Sequence, residues 1–217
     1  MTLPSDPEGR RASGREPASD VIPGDRDLWW RRTIHVLGAL VLLYYVLPSD
    51  TFVIASTTTV LLFLLAIGLT IELLRHTVGL KPPLIRPYEE GRVASFAWYA
   101  IALTVALLAF PPPIATTVIL GAAFVDPLMG ELRRVHAWNR YYPSAPIALY
   151  LALSIPTLYG FGRWSAGAAI LGAALATTLA IAVERKKSAW FDDDWTMVLI
   201  PGAALTILAA IFLGLPP

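Results

Sequence analysis

TFVIASTTTVLLFLLAIGLTIEL, residues 51–73, carries a single ionisable side chain, Glu72, next to its end. An uncharged run longer than about 18 residues reads as a membrane-spanning helix rather than as part of a soluble core. Six other segments repeat the pattern. The expected spans are 33–48, 51–73, 93–110, 114–131, 145–160, 166–183 and 196–214. The predicted fold is therefore all-α, a polytopic integral membrane bundle of seven helices. Prolines mark two of the joints, at Pro48-Ser49-Asp50 and at Pro111-Pro112-Pro113.

Composition agrees with this reading. Of 217 residues, 56% are hydrophobic and 15% charged, where a soluble domain carries about 25% charged residues. A net charge of +1 makes no case for an acidic partner, and the basic residues are spread over separate tethered segments, which argues against nucleic acid. The absence of cysteine excludes disulfides, thiolate metal sites and cysteine nucleophiles. Residues 1–27 are polar and rich in Pro, Gly and Ser, the composition of a disordered tail. They contain no apolar h-region, which argues against a cleaved signal peptide. Residues 28–217 form one transmembrane domain, because the loops are too short to make a second.

Sixteen of the seventeen Lys and Arg lie in the tail, its approach to span one, and the loops after spans two, four and six; Arg163 lies opposite. The positive-inside rule then places the N-terminus and those loops in the cytoplasm and the C-terminus outside, across the cell membrane. In span six, Ala168, Gly172 and Ala176 form a small-residue face suited to close helix packing.

The remaining ionisable residues gather at that same face. Asp126 lies inside span four, where a carboxylate costs roughly 2.5–3.5 kcal/mol on insertion scales and normally faces the bundle interior. Pro127 beside it loosens the helix. Asp192-Asp193-Asp194 precede span seven, and hard oxygen ligands of this kind suit Mg²⁺ with substrate phosphates; a solvated loop balanced by Arg185, Lys186 and Lys187 is the plainer alternative. At the start of span one, Arg31 or Arg32 shares a helix face with His35 and offers cations to phosphate oxygens. Glu72, Arg75 and His76 cluster at the end of span two, and Tyr88, Glu89, Glu90 and Arg92 precede span three. Carboxylates and bases at a membrane–cytoplasm boundary fit one task, joining a soluble metal-bound anion to a lipid headgroup.

These pieces, in order, resemble the CTP-dependent polyprenol kinases (dolichol kinase and phytol kinase), relatives of the phosphatidate cytidylyltransferases. The resemblance rests on RRTIHVLG at 31–38, ELLR at 72–75, RPYEEGR at 86–92, VDPLMGELRR at 125–134, Glu184, and DDDWTMVLIPG at 192–202. The chain departs from the family pattern in having Val125-Asp126 for Gly-Asp, no lysine in RYYPS at 140–144, and no Asn after the paired aspartates. What the resemblance implies is a membrane lipid kinase that transfers the CTP γ-phosphate to an isoprenoid alcohol. In that scheme Asp126 with Asp193 or Asp194 holds Mg²⁺. Arg32, Arg92 and Arg133, with Arg31 and Arg134 beside them, offset phosphate charge, and His35 orients phosphate or substrate. Asp126 and Glu72 are both candidates for the general base. The alternatives are a cytidylyltransferase acting on a lipid phosphate, which the same clusters would serve, and a non-catalytic scaffold or inactive relative. A transporter is disfavoured, because its ionisable groups belong near the midplane.

Overall fold

A computed structural model describes residues 25–48, 56–80, 85, 89–185, 192–212 and 214, with the backbone alone at 25–31, 137, 185 and 212. Every described element is helical. In chain order these are α1 (Asp25–Gly38), continued by a 3₁₀ segment (Ala39–Tyr45), α2 (Thr57–Val78), α3 (Ser95–Ala109) and α4 (Pro112–Leu120). A π turn (Gly121–Val125) joins α4 to α5 (Asp126–Arg134), and a 3₁₀ segment follows (His136–Tyr141). Next come α6 (Ser144–Pro156) with a second π turn (Thr157–Phe161), α7 (Ala166–Arg185) and α8 (Asp193–Phe212).

Among the described residues, five helices are long and apolar enough to cross a membrane: Thr57–Val78, Pro112–Arg134, Ser144–Phe161, Ala166–Glu184 and Asp193–Ile211. Arg32–Tyr45 and Ser95–Ala109 are apolar but shorter. All seven expected segments are thus helical, two of them below spanning length. The first helix begins at Asp25, inside the segment read as tail, where Asp25 and Asp27 favour a helix N-terminus. Span two is displaced towards the C-terminus. Ser56 caps it by accepting from the Thr59 N–H at 3.1 Å, and the mutual pairing of Glu72 and Arg75 lets the helix continue past its apolar run. It stops where Gly79 takes a left-handed φ of 73°.

The core is built around α8, which packs on α7, α3 and α4. On α7 the fully buried Ala169, Ala173, Ala176 and Ala180 form the seam, with Gly172 beside them and Ala168 only half-buried, so the small face is rotated slightly from the Ala168, Gly172 and Ala176 stripe. A Cβ on Gly172 would come within 2.8 Å of the Trp164 ring. By contrast α2 touches only α3 and the first 3₁₀ segment strongly, leaving Leu62, Phe63 and Leu64 exposed, as lipid contact requires. The π turn before Asp126 follows from Pro127, whose ring displaces the carbonyl of the preceding turn and widens the helix.

Candidate functional site

Three helices meet at one end of the bundle. There α1 supplies His35, the junction of the π turn with α5 supplies Asp126, and the first turn of α8 supplies Asp194. His35 Nδ1 lies 3.7 Å from Asp126 Oδ2, and His35 Nε2 lies 3.5 Å from Asp194 Oδ2. The His35, Asp126 and Asp194 side chains are 6, 17 and 2% exposed. One donor atom from each lies within 4.8 Å of the others, a spacing that can hold a metal ion. Two ionised carboxylates would outweigh one imidazole even with the ring protonated. In a poorly solvated site that excess is costly, and a cation relieves it.

Tyr99 of α3 fixes the imidazole. Its ring stacks on His35 with centroids 4.7 Å apart and planes 24° apart, and its hydroxyl donates to the His35 carbonyl at 3.2 Å. Gly38, one turn after His35, makes room: a Cβ there would sit 2.5 Å from the Tyr99 hydroxyl. The start of α8 is set similarly, by Trp195 meeting Trp98 edge-on with centroids 5.4 Å apart.

Three of the expected cations, Arg32, Arg133 and Arg134, each have a carboxylate neighbour. Arg32 pairs with Glu131, which also receives Arg134 at 3.1 Å. Arg133 pairs with the fully buried Glu184, its guanidinium 5.6 Å over the Tyr142 ring. Arg31 lies on α1, but its side chain is outside the described residues. Asp193 is half-buried on the first turn of α8, beside Asp192 and within electrostatic range of Asp126. The basic residues Lys186 and Lys187 and the aromatic Tyr88, all singled out above, fall outside the described residues.

Glu72 is placed elsewhere. Arg75 Nε and Nη2 donate to its carboxylate at 2.9 and 2.7 Å, and the Ala94 N–H donates to Oε1 at 2.9 Å. Arg75 also donates to the carbonyls of Glu89 at 3.1 Å and of Arg92, while Ser95 Oγ donates to Glu89 at 2.7 Å. This buried staple joins α2 to the start of α3, four residues before Tyr99. Its effect on the centre is indirect: Glu72 sets α3, α3 sets Tyr99, and Tyr99 sets His35. The Arg92 side chain is exposed on this loop.

Sequence reasoning singled out His35 and, through the family resemblance, grouped Asp126 with Asp193 or Asp194, but it missed Tyr99 and Glu131. The available signal for Tyr99 was the oddity of a glycine one turn after His35. Comparisons of the chain with protein-family models, with curated proteins and with solved structures find no match.

Proposed function

We propose that this chain is a membrane-embedded lipid kinase that passes the γ-phosphate of CTP to the hydroxyl of an isoprenoid alcohol. The observation that carries the reading is the convergence of His35, Asp126 and Asp194, from helices far apart in sequence, at one buried point at the end of the bundle. The proposal includes seven spans with the N-terminus cytoplasmic. Its support is that His35 lies in the first turn of the apolar stretch Arg32–Tyr45, Asp126 in the C-terminal half of Pro112–Arg134 and Asp194 in the first turn of Asp193–Ile211, the ends that alternating spans would bring to one face.

The donor set suits a divalent cation, Mg²⁺ in the simplest case, which takes one or two carboxylates together with substrate phosphates. Asp126 and Asp194 would hold it, and when bound it would neutralise charge on the phosphate oxygens. The protein's part in phosphoryl transfer is mostly positioning and charge compensation. Arg32 and Arg133 would offer charge to the phosphate oxygens, which would compete with Glu131 and Glu184 for them. Asp193, within electrostatic range of Asp126, would take the proton from the acceptor hydroxyl. As the new O–P bond forms, the bond to the β-phosphate oxygen breaks and CDP leaves. Glu72, held in its staple, has a structural role in this scheme.

The test is product analysis with purified full-length protein in mild detergent, given CTP, Mg²⁺ and a panel of isoprenoid alcohols and lipid phosphates. CDP with a new lipid phosphate, abolished by Asp126→Asn in folded protein, is the expected result. Pyrophosphate with a CDP-lipid would instead identify a cytidylyltransferase. No turnover together with no CTP binding would assign the fold to a non-catalytic role.

A further inference from the structure

The donor set at the helix junction contains a nitrogen, and Mg²⁺ is an oxygen-seeking ion that rarely takes one. Imidazole is instead a ligand for first-row transition metals. We propose that His35 is itself a metal ligand, with Asp126 and Asp194, and that the site selects a nitrogen-accepting dication such as Mn²⁺ over Mg²⁺. This rests on the reading of the junction as a cation site and specifies which cation it takes.

Geometry supports direct ligation. The separations of 3.5 and 3.7 Å between imidazole nitrogens and carboxylate oxygens are longer than a hydrogen bond. They are closer to the spacing of two ligands on one ion: with bonds of about 2.1 Å, octahedral to tetrahedral angles place neighbouring ligand atoms roughly 3.0–3.4 Å apart. His35 Nε2 and Asp194 Oδ2, at 3.5 Å, form the pair best placed to share the cation. One donor atom each from His35, Asp126 and Asp194 lies within 4.8 Å of the others, so a small approach would bring all three onto one ion. The Tyr99 stack and the Gly38 slot hold the ring in this orientation, as a preorganised ligand requires.

The experiment uses the full-length protein in detergent, stripped with a chelator and titrated with Mn²⁺. Loss of the free-ion electron paramagnetic resonance signal measures binding, and electron spin-echo modulation reports directly bound nitrogen. The expected result is Mn²⁺ binding with imidazole nitrogen coupling, at an affinity on the order of tenfold or more above that for Mg²⁺ in competition. His35→Gln should lose the coupling and most of that preference. His76→Gln and His136→Gln, at the chain's other two histidines, should keep both. Should His35→Gln fail to fold, wild-type protein labelled with ¹⁵N-histidine decides, because the modulation frequency must change. Mn²⁺ binding without nitrogen coupling overturns the proposal and leaves a carboxylate-only cation site standing. Binding unaffected by Asp126→Asn also overturns it. No binding of either ion removes the cation site altogether.

Discussion

Gly38→Ala sets two effects against each other, and the structure decides the sign. Gly38 lies in right-handed helical backbone, with φ −56° and ψ −28°, so conformation does not require glycine. On propensity alone alanine should stabilise by about 1 kcal/mol. The added Cβ, however, would stand 2.5 Å from the Tyr99 hydroxyl and 2.7 Å from its ring. That ring cannot simply rotate away, because it stacks on His35 and its hydroxyl bonds the His35 carbonyl. Overpacking of this kind costs roughly 1–3 kcal/mol. Losing the stack and the hydrogen bond would each cost about 0.5–1.5 kcal/mol. The expected net change is a destabilisation of about 1–3 kcal/mol, or several degrees in Tm for a chain of this size. Because His35 loses its support, Mn²⁺ affinity should fall about tenfold or more. Thermal unfolding in a fixed detergent and the metal titration measure both. Gly68→Ala on α2 is the control: nothing lies within 4 Å of its Cβ, so it should be neutral or stabilise by up to about 1 kcal/mol. If Gly38→Ala matches that control in Tm and binds Mn²⁺ as the wild type does, the Gly38–Tyr99–His35 arrangement is refuted.

Two further substitutions probe the supports of the centre. Glu72→Gln leaves Arg75 buried without its charge partner and should destabilise by about 3–5 kcal/mol; hydrogen exchange should show faster opening at residues 89–99, and unchanged exchange there would contradict the staple. Arg133→Met strands the carboxylate of Glu184, which is 0% exposed, and should lower Tm. Adding Glu184→Gln should recover part of that loss, because the cost lies in the unpaired charge rather than in a missing attraction; a double variant no better than the single one would count against this.

The apolar helices were legible in sequence, and their rotation was not. Long runs such as 51–73 announce themselves, because the hydrocarbon core imposes a length and excludes charge. The sequence located Asp126 and Asp194 by their cost in or beside an apolar run, and His35 by its place after two arginines. The residues alone could not pair them, and only the family resemblance joined Asp126 to the 192–194 run, since uniform Leu, Ala and Val faces do not say which side meets a neighbour. The π turn at Gly121–Val125 adds a further obstacle. One extra residue in a helix turns every later side chain by about 100°, so a 3.6-residue count from α4 points Asp126 the wrong way. Glu72 shows a different difficulty. A buried carboxylate near the membrane surface looks the same in sequence whether it handles protons or anchors a loop, and only the carbonyls around Arg75 distinguish the two. Tyr99 was hidden because its partner, a glycine, signals by the absence of a side chain.

The central claim is that His35, Asp126 and Asp194 form one site at which a cation and a nucleotide phosphate meet. Equilibrium binding of CTP with and without divalent cation, to the wild type and to Asp194→Asn, tests it most directly. The account predicts that CTP binds only when the cation is present and that Asp194→Asn, folded and with unchanged helical content, loses this binding. CTP binding that ignores the cation, or that survives Asp194→Asn intact, would contradict it.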